Sequence, residues 1–159
     1  MSPDARVVER LQFLVRVVRK ECMHLQTTDQ RLFAVPFTSE TASRLDENPE
    51  LAERVEAFAS RYGRLQDTLG DKLLPLLLRA LGEKPAAAID NLDLAERLGL
   101  LQSAEEWMAM RTIRNQMVHE YIEDPEILTS ALLTGHAFVP ALLATANAMI
   151  LELERRGWV

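Results

Sequence analysis

The sequence predicts an all-α protein, and three observations carry that reading. Hydrophobic residues repeat at spacings of three and four through most of the chain. The apolar palette is mostly Leu, Val and Ala with aromatics at only 6%, which suits helices better than a β-sandwich. Two segments, Asn48-Pro49-Glu50 and Asp124-Pro125-Glu126, pair a capping side chain with proline at the first helical position, where its missing N–H costs nothing. The architecture expected from these features is an antiparallel four-helix bundle with short additional helices. At 159 residues and 48% hydrophobic composition the chain is long enough for one domain with a real core, residues 1–159.

The first predicted helix spans residues 4–26, where Val7, Leu11, Leu14, Val18, Cys22 and Leu25 form one stripe, with Ser2 and Asp4 as N-cap candidates and Thr27-Thr28-Asp29 as its stop. Residues 30–48 are irregular and read as a long loop or a short helix. From Pro49 the stripe Leu51, Val55, Phe58, Tyr62, Leu65 and Leu69 continues through Leu73 and Leu77 to Leu81, with Gly82 as C-terminal cap and a kink at Pro75. Residues 83–102 read as a short helical hairpin or connector ending at Gly99. Ser103 with Glu106 forms a capping box that opens the next helix. The last helix starts at Asp124-Pro125 and runs toward Arg156, with Gly135 and Pro140 as irregularities.

Composition narrows the function classes. The single cysteine, Cys22, cannot close a disulfide within the chain, and no ligand-spaced Cys or His pair suggests structural zinc, so neither metal nor cofactor is expected. A reducing cytoplasm is the expected location. Residues 1–20 interrupt their apolar residues with basic ones and read as neither signal peptide nor membrane span, so no membrane association is expected. A net charge of -6 disfavours broad nucleic-acid binding while leaving room for a small basic cleft.

The stretch Arg111-Thr-Ile-Arg-Asn-Gln-Met-Val-His-Glu-Tyr121 concentrates the chemistry. Arginine offers a permanently charged fork for phosphate, and histidine exchanges protons near neutrality. Together they suffice for metal-independent cleavage of RNA, His119 serving the 2'-hydroxyl or the leaving oxygen and Arg114 stabilising charge on the phosphoryl oxygens. Asn115 would orient either group. On a helix turning about 100° per residue, Arg114 and Tyr121 lie nearly in line while Arg114 and His119 stand about 140° apart. One straight helix therefore cannot aim both at one anion, which points to a helix terminus or a dimer interface. An arginine and a histidine at a helix end also suit a plain surface or capping role. His24 and His136 read as helix-surface or bundle residues, Asp90, Asp93 and Glu96 as a solvated acidic face, Met108, Met110 and Met117 as core or interface filling, and Trp107 and Trp158 as packing anchors.

Arg114-Asn115-x-x-x-His119-x-Tyr121 resembles the R-x4-H-x-Y signature of the HEPN superfamily, in particular the HepT toxins and their relatives known as nucleotidyltransferase substrate-binding proteins. Gly99-Leu-Leu-Gln-Ser-Ala-Glu-Glu-Trp107 resembles the family's lead-in to the motif helix, and Asp71-Lys-Leu-Leu-Pro75 its second long helix. Residues 50–135 carry the match. The resemblance implies a homodimer whose motif helices face one another across an RNase cleft, with Arg114 and His119 catalytic and Asn115 beside them. It also implies a small nucleotidyltransferase antitoxin as partner, which in some pairs transfers AMP to the tyrosine at the position of Tyr121. The alternative in the same family is a noncatalytic subunit that binds the nucleotidyltransferase and presents substrate.

Overall fold

A computed structural model describes residues 2–119 and 123–159, and among them every regular element is helical. Helix α1 covers Ala5–Leu32, with the Asp4 carboxylate accepting from the Arg6 N–H at 2.7 Å. The expected stop at Thr27-Thr28-Asp29 is corrected by one further turn. The Thr27 hydroxyl donates back to the Met23 carbonyl at 3.0 Å, and Thr28 and Leu32 are buried, so packing overrides the local preference of threonine for helix ends. Residues 30–48 then hold a short helix α2, Ser39–Ser43, and a 3-10 turn, Leu45–Glu47. Phe37, Ala42 and Leu45 bury themselves there, and α2 packs on the last helix.

Helix α3, Pro49–Asp67, starts as its sequence predicts, with Asn48 Oδ1 accepting from the Leu51 N–H at 3.2 Å. Where the sequence suggests a kink at Pro75, the structure has a π turn, Thr68–Leu73, followed by helix α4, Leu74–Ala80. The Leu74 N–H reaches back five residues to the Leu69 carbonyl, widening the helix just before the residue that has no N–H to donate. Gly82, at φ 84°, ends α4: its N–H bonds the Arg79 carbonyl while the Glu83 N–H bonds that of Leu78. Helix α5 is Ala88–Arg97, α6 Ala104–His119 and α7 Pro125–Arg155. The capping box before α6 is half realised. Ser103 Oγ accepts from the Glu106 N–H at 3.0 Å, and Glu96 Oε1 on α5 takes the Ala104 N–H at 2.7 Å.

Helix α3 lies in the middle of the structure, with α1 on one edge, α6 on the other and α7 behind. Its stripe from Val55 to Leu69 is buried to the last residue. Met110, Met117 and Trp107 of α6 join that core, while Met108 stays exposed. Helix α7 runs unbroken through Pro140; an 18-residue window reaches a mean hydropathy of 1.7, and 39% of it is buried. By length and composition alone α7 could span a bilayer, but Leu128, Leu132, Val139, Leu142 and Met149 turn inward as core residues. Gly135 lets α7 approach closely: a Cβ there would stand 3.3 Å from Met117 Cε and Phe58 Cε2.

Candidate functional site

Arg114 leaves α6 on the side that faces α3. Its Nη1 and Nη2 donate to Asp67 Oδ1 and Oδ2, each at 2.8 Å, a fork-to-fork pair across the seam. One turn earlier, Arg111 Nη1 stands 3.9 Å from Asp71 Oδ1. Arginines three apart on α6 thus meet aspartates four apart on the α3 edge, the spacing that keeps both pairs on one face of each helix. Tyr62 and Gln66 of α3 fix the same seam from within, donating to the backbone carbonyls of Met110 at 3.2 Å and Trp107 at 3.1 Å. Burial drives the Tyr62 hydroxyl far above its usual range, so it serves as a neutral donor.

Gly63 makes the seam close enough for that arginine. A Cβ there would lie 2.8 Å from Arg114 Nε, so any side chain would displace the guanidinium. Gly70, in the π turn, plays the corresponding part for the Trp107 indole, whose Cζ2 is 3.2 Å from the Cβ position. An open cleft of about 510 Å³ runs along this edge, lined by Gly63, Asp67, Asp71, Lys72, Arg114 and Val118 among others.

A guanidinium carries five N–H donors, and the pair with Asp67 uses two. Arg114 is therefore held in one orientation, with its charge partly compensated, while N–H groups remain for a second anion. His119 and Asn115 are exposed on the last turns of α6, and among the described residues neither lines the cleft that holds Arg114. The separation expected from helical geometry is thus present, and this chain by itself does not bring Arg114 and His119 onto one described cleft. Tyr121 lies outside the described residues.

Other residues singled out from sequence have local explanations. His136 Nδ1 sits 2.7 Å from Asp29 Oδ1, and its ring stacks on Phe33 at 4.2 Å, joining α7 to α1. His24 is exposed and offers its carbonyl to Arg61. Asp90 and Asp93 are exposed, and no group of metal-ligating side chains occurs among the described residues. Burial, helped by neighbouring Glu21, pushes the Cys22 thiol up to about 11, which makes it a poor nucleophile at neutral pH. Sequence reasoning missed Asp67 and Gly63. A mid-helix glycine in an otherwise strong helical stripe was the available signal for the second; Asp67 needed the α3–α6 pairing to be known.

The arrangement defines the class of the protein only as all-helical, with a paired arginine beside an open groove and an exposed histidine later on the same helix. Scans of family models, of curated proteins and of solved structures yield no match to the chain.

Proposed function

We propose that the chain is a HepT-like HEPN protein: a metal-independent endoribonuclease toxin that acts as a homodimer and is restrained by a small nucleotidyltransferase. The single observation that carries this reading is Arg114, oriented by Asp67 over an open cleft cleared by Gly63. On this reading the long helices α1, α3 with α4, α6 and α7 make the four-helix bundle, and a second copy brings its own α6 alongside so that His119 of one chain and Arg114 of either face one RNA strand. Histidine moves the proton at the 2'-hydroxyl, the arginine steadies the phosphoryl oxygens, and Asn115 orients one of them. Tyr121 is the acceptor of AMP from the partner, and an adenylate there would occupy the arginine that substrate needs. The cytoplasm is the matching location.

One feature favours the second reading, a noncatalytic nucleotidyltransferase-binding subunit. Asp67 already takes both arms of the Arg114 fork, as a purely structural pair would. Incubating the purified protein with a mixed RNA pool in EDTA, beside His119→Ala, decides between them. The enzyme reading expects cleavage that persists in chelator, leaves 2',3'-cyclic phosphate ends and disappears in the variant. Cleavage restored only by magnesium contradicts the mechanism, and no cleavage by either protein favours the subunit.

A further inference from the structure

On the opposite edge of α3, where α1 packs, a cleft of about 350 Å³ is lined by Thr28, Arg31, Glu50, Glu53, Arg54 and Arg61 among others. We infer that this cleft is a binding site for a phosphate-bearing anion, separate from the Arg114 groove. Arg61 is half-buried, and its Nη1 donates to two neutral acceptors, the Thr28 hydroxyl and the His24 carbonyl, the latter at 3.3 Å. Those bonds fix the guanidinium without neutralising it, and Nε and Nη2 keep their protons for a ligand. Arg54 stands seven residues earlier, two turns along the same side of α3. Arg31, in the last turn of α1, completes the lining from across the cleft.

The ion pairs among the described residues lie elsewhere and leave Arg31, Arg54 and Arg61 outside them. In a chain of net charge -6, this lining carries three guanidiniums against two carboxylates, Glu50 and Glu53, and among the described residues none of the three arginines is held in an ion pair, so the cleft keeps a local excess of positive charge. That all three are arginines, with no lysine lining the cleft, points to planar, bidentate recognition of phosphate. Three forks also exceed what a single carboxylate can accept, which favours a diphosphate or a chain of phosphates. Glu50 and Glu53 at the cleft are acceptors suited to the hydroxyls of an attached sugar. The shared chemistry is phosphate, from a free nucleotide or from a terminal phosphate of RNA.

The test is equilibrium binding of inorganic pyrophosphate by calorimetry, at an ionic strength of about 0.05 M where surface charge is weakly screened. The expected result is a Kd below about 1 mM for the wild-type chain and the same value for Arg114→Ala. Arg31→Gln and Arg54→Gln should each weaken binding by about tenfold or more, the scale of one charge-assisted hydrogen bond. Arg31 is exposed, so its variant tests the site without a risk to folding. ADP, a 5'-phosphorylated RNA and the same RNA with a 5'-hydroxyl then identify the source: preference for ADP marks a free nucleotide, and discrimination between the two RNAs marks a strand end. No binding of pyrophosphate, undiminished binding in both glutamine variants, or loss of binding in Arg114→Ala instead would each overturn the assignment. Because no RNA cleavage is measured, failure here is distinct from failure of the ribonuclease reading.

Discussion

The two edges of α3 handle charge in opposite ways. Toward α6, charges meet charges: Arg114 with Asp67 and, more loosely, Arg111 with Asp71. Toward α1, charges meet hydroxyls, and do so reciprocally. Arg61 of α3 donates to Thr28 of α1, and Thr68 of the π turn donates to Glu21 of α1 at 2.8 Å. A carboxylate partner stabilises a half-buried arginine and lowers its appetite for further anions. A hydroxyl partner orients the charge and leaves it uncompensated. The first arrangement suits a group that must stay in place while substrate comes and goes, and the second suits a standing anion site or a strained, titratable one.

The largest effects should fall on the α6 edge. Arg114→Ala and His119→Ala are each expected to reduce RNA cleavage by about a hundredfold or more, the usual scale for a charge-stabilising or acid–base group. Initial rates on one defined RNA measure this. If Arg114→Ala alone retains near wild-type rates, the Asp67 pair is structural and the catalytic half of the comparison fails.

Next in size is Asp67→Asn, which keeps the shape and removes the charge. As a positioning residue, Asp67 should lower kcat about tenfold while KM changes less, because a loosened guanidinium misplaces charge mainly in the transition state. Stability should drop by about 1–2 kcal/mol, as expected for weakening a partly solvated charge-assisted pair. A variant that is less stable and equally active would make the pair a simple strut. Tighter binding of uncleavable RNA at unchanged kcat would instead make Asp67 a competitor for the arginine.

Gly63→Ala separates packing from chemistry. Helix propensity favours alanine by about 1 kcal/mol, yet the new Cβ would press on Arg114 Nε at 2.8 Å. The two contributions offset in stability and not in activity. Melting temperature should change little while cleavage falls several-fold; activity that holds would show that the guanidinium can shift without cost.

Which of these features the sequence announced follows from their range. Helix starts at Pro49 and Pro125, the Gly82 cap and the Leu stripe of α3 were legible because each is a local rule acting over a turn or two. Helix α1 passes the local stop signal Thr27-Thr28-Asp29 because Thr28 is buried and accepts from Arg61, 33 residues away, a contact that no local rule announces. Arg114 and Asp67 stand 47 residues apart, and no spacing rule links them. The motif is visible in the sequence as a spacing of residue types, while the carboxylate that pairs with Arg114 and the glycine that admits it emerge only once α3 and α6 are laid side by side. The Arg31, Arg54 and Arg61 cleft was invisible for the same reason, since its three arginines come from two helices.

The smallest expected effect tests the hydroxyl-partnered edge through Glu21. Burial raises its carboxyl above the ordinary value of 4.5, against the lowering pull of Thr68, Arg64 and Lys72. A raised value in the folded state means that folding favours the protonated acid. Its contribution to stability is therefore present below about pH 4.5 and is lost as pH rises through the folded value. Hydrogen bonding runs the other way and is outweighed: the Thr68 hydroxyl donates to Glu21 Oε1 at 2.8 Å, which favours the carboxylate, and an amide oxygen in its place could accept the same bond without a charge to desolvate. Glu21→Gln, which carries both a donor and an acceptor, should therefore stabilise the fold at pH 7 by a few tenths of a kcal/mol, the penalty being discounted because the residue is half-exposed. At pH 4 the advantage should vanish. Thermal melts at both pH values, run beside Asp67→Asn, should then show changes of opposite sign at pH 7 on the two edges of one helix. A Glu21→Gln variant that loses stability at pH 7 would mean that its charge is well compensated after all, and that the α1 and α6 edges do not differ as argued.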